Sequence, residues 1–429
     1  MWRNGVVAPS SSQTPADETD QATVPRTGVT PHRLRYPDGL AGDILSISLL
    51  VGLTLLFFWK IAFTGLVLAG YDAQTYFYPY RLEAADAIHH GRIPLWDPYL
   101  FLGAPFMANI QTAVFYPLNV LFYVMPVWFA MNVSVLLHIA LAGVLIYAFL
   151  RTSLGLDRVA SLVGGLTFMF SGFMGAQVGH INQINVAAWL PGLLLVLDQA
   201  IARKSGRWLA LGAVIVTVQM LAGHSQESYL ILVTAGLFTF FRMCTAQVQR
   251  DEAVDHAAQL TQRLFAPAAL IIVVGLGISM SLFQLLPTLE LAGESIRGGG
   301  LSYADAVSFS LRPWELLDDL LPAFTRIPFT EYVGYVGIFA LTLGGLALTT
   351  GRKRSYGIFF AGLMVIGLFF GLGGFNPLWI WAHKLIPGFK LFRVPARWLF
   401  VYTFGAAGLS ALGADFLGQT AAAKRGWLW

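Results

Sequence analysis

Ten apolar stretches, at about residues 44–69, 122–150, 158–175, 185–201, 208–223, 227–243, 264–286, 334–350, 357–373 and 396–416, decide what this chain can fold into. A run of roughly 20 apolar residues is long enough to cross a hydrocarbon core about 30 Å thick, and in lipid only a helix satisfies its own backbone over that distance. Composition agrees: the 429 residues are 56% hydrophobic and only 12% charged, where soluble domains carry about 25% charge. The expected fold class is an all-α integral membrane protein, a polytopic bundle of about ten transmembrane helices.

The cations between these stretches give the bundle a direction. Arg151 and Arg158, then Arg203, Lys204 and Arg207, then Arg242, Arg250 and Arg263, then Arg352, Lys353 and Arg354, and finally Lys424 and Arg425 fall in alternate loops. Arg26, Arg33 and Arg35 of the N-terminal segment fall on the same side. By the positive-inside rule that side is cytoplasmic, so a multi-pass protein of the cytoplasmic membrane with both termini inside is expected. This asymmetry accounts for the net charge of +4 without a nucleic-acid partner. Residues 1–38, polar and rich in Pro, Ser and Thr, read as a disordered cytoplasmic tail without a cleavable signal peptide. Residues 39–416 form the membrane domain, and 417–429 a short cytoplasmic tail. The single cysteine, Cys244, leaves no internal disulfide and no multi-cysteine metal site.

The opposite side holds the loop Tyr71–Asn119, short turns near Gly179 and His224, a loop from Pro287 to Val333 and one from Gly374 to Pro395. These segments carry most of the polar residues that solvation does not explain, so function is expected to face outward. In the first loop, residues 74–90 predict an amphipathic helix lying in the interface, with Phe77, Leu82, Ala85 and Ile88 turned inward. The segments PLWDPY and FYPLN that follow are broken by proline and rich in aromatics, a poor match to a further span.

Several side chains in these loops could carry chemistry. Asp72 lies just beyond the first stretch, where partial desolvation suits a carboxylate to act as a general base; the plainer reading is a helix-terminal acid. Asp97 is a weaker candidate, because Asp-Pro also starts turns. His180, Gln183 and Asn185 in GHINQIN, and His224, Gln226 and Glu227 in GHSQES, fall on the same membrane face. They would line one polar cavity if the helices bundle, or else hold the bundle together by interhelical hydrogen bonds. Their spacing matches no metal motif. Arg393 and Arg397, preceded by Lys384 and Lys390, oppose the positive-inside trend. An Arg fork suits a lipid-linked phosphate; snorkelling to headgroups is the alternative. Lys60, within the first stretch, would snorkel or pair with an acid of the bundle.

Taken in order, GYDAQTYFYPYR, GRIPLWDPYLFLGAPFMANIQTAVFYPLN, GHINQIN, GHSQES, PTLE and FRVPARW resemble the YfhO family of bacterial membrane proteins over about residues 40–415. The resemblance implies a GT-C-like build with amphipathic helices in the first extracytoplasmic loop. It implies an outward-facing glycosyltransferase that takes a sugar from a polyprenyl-phosphate donor and passes it, with inversion, to a glycan acceptor of the cell envelope. Asp72 occupies the position of the first-loop base. Tyr76, Tyr80, Arg81, Trp96, Asp97, Asn109, Gln111, His180, Gln183, His224, Glu227, Arg393 and Arg397 are the expected donor-binding residues. No cofactor is required, although a divalent cation, Mg or Mn, could assist the phosphate. Family members usually continue beyond a point equivalent to Trp429, so a C-terminally truncated relative is expected. A flippase for a lipid-linked glycan, or a structural subunit of an envelope complex, is the rival reading.

Overall fold

The computed structural model describes residues 39–70, 72–245, 256–296, 298–321, 329–350 and 353–425. The segment 1–38, Arg250, Arg297, Arg326, Arg352 and the last four residues lie outside the described residues. Eight helical segments among the described residues are long and apolar enough to cross a membrane, so this is a multi-pass membrane protein surrounded by lipid. In chain order the principal helices are α1 (Leu40–Phe57), α2 (Tyr78–His89), α3 (Val127–Ser153), α4 (Arg158–Met169) and α5 (Leu190–Arg203). They continue with α6 (Gly206–Leu221), α7 (Ser225–Thr245), α8 (His256–Gly293), α9 (Ile338–Thr349), α10 (Arg354–Gly371) and α11 (Leu399–Arg425).

Burial sorts these helices into inner and outer ones. The most apolar windows around α5 and α11 are 83% and 89% buried by protein, whereas those of α1 and α8 are only 17% and 28% buried and face lipid. Small residues let α11 pack at the centre: an added Cβ would strike the Phe360 carbonyl at Gly405, the Phe360 ring at Gly408 and the Leu343 carbonyl at Gly413. In lipid the hydrophobic effect does not pull helices together, so such close backbone approach supplies the association energy.

Three of the ten stretches fold differently from the simple expectation. The fifth and eighth are helices of 16 and 12 residues, α6 and α9, shorter than a full crossing. The first stops being one helix at Phe57; a single turn, Trp59–Phe63, follows, and residues 64–70 are irregular. Asn132 of α3 supplies the reason. Its buried amide donates to the carbonyls of Ile61 (3.3 Å) and Leu66 (2.8 Å), and its oxygen accepts from the Leu68 N–H (3.2 Å). One side chain thus satisfies backbone groups that a helix would otherwise have to pair. Lys60 sits exposed on the short turn, 5.9 Å from the Trp59 ring, and not inside a span.

The first loop is helical where the pattern predicts, with a wide turn Ala73–Phe77 leading directly into α2. Phe77 and Ala85 are buried, Ile88 is half-buried and Leu82 is exposed. The Pro-broken segment forms a two-stranded antiparallel ladder, β1 (Trp96–Asp97) against β2 (Ala104–Pro105).

The two ends of the bundle carry different chemistry. At one end Asp43 of α1 accepts from Tyr147 (2.6 Å) and Arg151 (3.2 Å) of α3 and from Arg158 (3.2 Å) of α4. Lys353 at the same end reaches the Gly155 carbonyl at 3.3 Å and Asp415 at 3.9 Å. The first loop and both Gly-His turns lie at the other.

Candidate functional site

Asp72 is brought to His180 by a close crossing of two glycines: a Cβ added to Gly70 would lie 3.6 Å from the Gly179 Cα. Asp72 Oδ2 then stands 2.9 Å from His180 Nε2, with the Asp72 side chain 48% exposed. On its far side His180 Nδ1 lies 2.6 Å from Gln177 Oε1. The Gln177 amide nitrogen donates to the Thr330 carbonyl and to Glu331 Oε2, both at 3.2 Å. With its N–H groups committed to those acceptors, Gln177 must present oxygen to the imidazole. His180 Nδ1–H is therefore a donor to Gln177, and Nε2 donates to Asp72 only when it carries a second proton, so the pair is bonded as imidazolium and carboxylate.

Glu331 in turn holds Arg397. The guanidinium reaches both carboxylate oxygens, Nε at 3.2 and 3.1 Å and Nη2 at 2.6 Å. Arg397 Nη1 donates to Gln226 Oε1 at 2.9 Å and lies 3.4 Å from His224 Nε2, while Nε is 3.7 Å from Glu227 Oε1. His224 Nδ1 contacts Glu227 Oε2. The Gln183 amide fits between these groups when its nitrogen donates to Glu227 Oε1 (3.2 Å) and its oxygen accepts from Arg397 Nη2 (3.1 Å). The two Gly-His turns thus meet in one polar network.

Electrostatics follow from these contacts. Burial alone would push the Glu331 carboxyl up, but the Arg397 charge and its hydrogen bonds, helped by His180 and Gln183, hold it below the usual carboxylate value. Burial, reinforced by the neighbouring charges of Arg397 and His180, pushes His224 well below the usual imidazole value. A neutral His224 agrees with its contacts, since Nε2 accepts from Arg397 and Nδ1–H faces Glu227.

Beneath this network a second cluster fastens the first loop. Arg81, 1% exposed, donates to the Thr112 carbonyl and to Asn182 Oδ1 (2.7 Å), and its guanidinium lies 5.3 Å from the Phe122 ring. Burial pulls it down to about 10. Asn182 donates to the carbonyls of Gln111 (2.7 Å) and Gly223 (3.1 Å). Gly223 has φ +89°, and a Cβ there would lie 2.7 Å from the Ile110 carbonyl, so the residue before His224 has to be glycine.

The remaining expected residues are placed as follows. Tyr76 and Tyr80 pack edge to face at 4.5 Å, and Asn109 donates to their hydroxyls at 3.2 and 3.5 Å. Gln111 is half-buried and gives its backbone N–H to Asn109 Oδ1 at 3.1 Å. Asp97 is buried and closes a turn by accepting from the Tyr99 N–H at 2.8 Å. Trp96 is exposed, its ring lying over Gly103. Arg393 stands apart from the network, exposed, with its guanidinium 5.9 Å from the Phe309 ring. The tertiary structure therefore unites Asp72, His180, Gln183, His224, Glu227 and Arg397 and leaves Arg393 outside.

No family model matches this chain, and no curated protein matches it either. Two members of the network, Gln177 and Glu331, were missing from the expected set. Glu331 carried a readable sign, a lone acid just ahead of the eighth stretch, as Asp72 is a lone acid just after the first. Gln177, inside FMGAQVGH, carried none. Among the described residues no group of three or more His, Cys, Asp or Glu is placed to hold a metal ion. What the arrangement offers is a half-exposed carboxylate backed by an imidazole of set orientation.

Proposed function

We propose that this protein is a GT-C-like membrane glycosyltransferase, the reading that the YfhO resemblance implies. It would work on the extracytoplasmic face of the cytoplasmic membrane, with both termini inside. The observation that carries the proposal is the pairing of half-exposed Asp72 with His180 at 2.9 Å. An acceptor hydroxyl attacks the anomeric carbon of a sugar carried on polyprenyl phosphate. Its proton passes to Asp72, the carbon–oxygen bond to phosphate breaks, and the phosphate departs with the electron pair, inverting the centre.

Supporting roles follow from exposure. Arg397 is committed to Glu331 and Gln226, so it organises the site more readily than it clamps a phosphate. Arg393 is exposed and can meet the leaving phosphate's charge. Trp96 offers an open ring on which a sugar face could stack. Mg or Mn bound to the donor phosphate would neutralise its charge, but the described residues gather no group of three or more His, Cys, Asp or Glu to hold either.

The test is purified protein in detergent with radiolabelled polyprenyl-phosphate sugars and candidate glycan acceptors. Acceptor-dependent release of carrier phosphate is expected, lowered at least about 100-fold in Asp72→Asn while membrane insertion persists. Undiminished turnover in that variant would refute the role of Asp72. Movement of intact lipid across vesicles without bond cleavage would instead favour a flippase.

A further inference from the structure

The ladder β1–β2 presents an apolar tip that the proposed chemistry does not use. Phe101 is 92% exposed, Leu102 104%, and Tyr99, Leu95 and Ile93 are exposed beside them. Between residues 93 and 106 the single charged side chain is Asp97, and it is buried in the turn. Phe101 and Leu102 have φ of +49° and +64°, a left-handed backbone that large side chains rarely adopt. Water gives two strained, fully exposed apolar residues nothing in return. A neighbour without water would.

The base of the hairpin shows which neighbour is at hand. The Met107 carbonyl accepts from Gln284 of α8 at 2.7 Å, and Phe115 packs edge to face on Phe283 at 5.1 Å. Around that contact α8 shows Met280, Phe283, Leu286 and Leu289, all exposed, as part of its lipid-facing surface. Counting 21 residues from Arg263 (284 − 263), Gln284 lies about 32 Å along the helix, close to the thickness of the hydrocarbon core. The hairpin base therefore sits level with the membrane boundary. Leu102 is five residues from Met107, a reach of roughly 16 Å, ample for the headgroup–acyl boundary.

We infer that the hairpin tip, Tyr99–Leu102, dips into the acyl-chain boundary of the leaflet beside α8, with lipid acyl chains as its partner. Tethered there, it sets the height of the first loop, and so of Asp72, above the bilayer.

The single native cysteine makes the test direct. Leu102→Cys in a Cys244→Ser background is labelled with an environment-sensitive fluorophore in phosphatidylcholine vesicles. Nitroxide placed near the lipid carbonyls is expected to quench the label several-fold more than aqueous iodide does; Arg92→Cys, at an exposed arginine 3.5 Å from Asp86 at the end of α2, should show the reverse. Preferential iodide quenching at 102 overturns the inference. So does a label shielded from both quenchers, which would signify a protein partner or a second copy. Should Leu102→Cys not insert, Tyr99→Cys gives the same reading.

Discussion

The two ends of the bundle use the same residue types for opposite ends. Around Asp43, one acid collects donors from two neighbouring helices, Tyr147, Arg151 and Arg158, and the set closes on itself. At the other end the groups form a line, Asp72 to His180 to Gln177 to Glu331 to Arg397, and the line finishes on a half-exposed carboxylate. A hub tolerates the loss of one spoke, because the others still satisfy the acid. A line does not, because each link orients the next. The hub anchors; the line leaves one functional group facing out.

The comparison can be broken most decisively at the open end. Asp72→Asn is expected to lower transfer by about 100- to 10,000-fold, the worth of a positioned general base, with the thermal midpoint in detergent barely moved. A midpoint that collapses along with activity would make Asp72 a structural link and erase the distinction.

Next in size is the link that matches the half-buried Arg397 guanidinium with buried Glu331. Glu331→Ala leaves Arg397 without its bidentate partner and should cost about 3–5 kcal/mol in equilibrium unfolding. Its pH signature has a definite sign. Because the folded-state value of Glu331 is held below the ordinary 4.5, its stabilisation is complete above that value and is lost as pH falls through the folded value. Glu331→Gln should therefore flatten the acid limb of a stability–pH curve.

A sharper contrast lies in the same loop. Asp319 is also buried, but its Oδ1 accepts only from the Gly334 N–H, at 2.6 Å, and its Oδ2 has no hydrogen-bond partner among the described residues. Burial pushes this carboxyl up to about 7; the Gly334 N–H opposes the rise, and Asp318 and Glu315 add to it. The folded state thus keeps a proton that the unfolded chain, at 3.8, gives up, so stability falls as pH rises from about 4 to about 7. Asp319→Asn should remove that decline and stabilise the protein at pH 8 by at most about 4 kcal/mol, the worth of the difference between 3.8 and about 7. Thermal midpoints across pH would check it; an unchanged slope would show that Asp319 finds a countercharge.

The smallest effect belongs to the hub. Asp43→Ala should cost only about 1–2 kcal/mol, because Asp43 is itself 21% exposed against 7% for Glu331, and Arg151 and Arg158 keep the Leu156 and Gly39 carbonyls as acceptors. A loss equal to that of Glu331→Ala would abolish the proposed difference between the ends.

Much of the fold was readable in advance. Long apolar runs marked the eight segments able to cross a membrane and the shorter helices α6 and α9, and the period of residues 74–90 marked α2. The irregular backbone of residues 64–70 was not readable, because its polar groups are met by Asn132, which lies 64 positions beyond Leu68 and carries no local sign of its partners (132 − 68 = 64). At the site, the two Gly-His turns drew attention on composition alone. Their meeting through Arg397, the commitment of Arg397 to Glu331, and the burial of Arg81 of the first loop against Thr112 and Asn182 did not follow from spacing.

The sequence by itself determined that this chain belongs in a membrane and roughly where it crosses, since transfer into lipid is a sum over neighbouring residues and hydropathy adds along the chain. Tertiary structure alone decided which polar groups face one another. A hydrogen bond acts over about 3 Å and is indifferent to sequence distance, so His180, Glu331 and Arg397 became partners only once their segments were packed together.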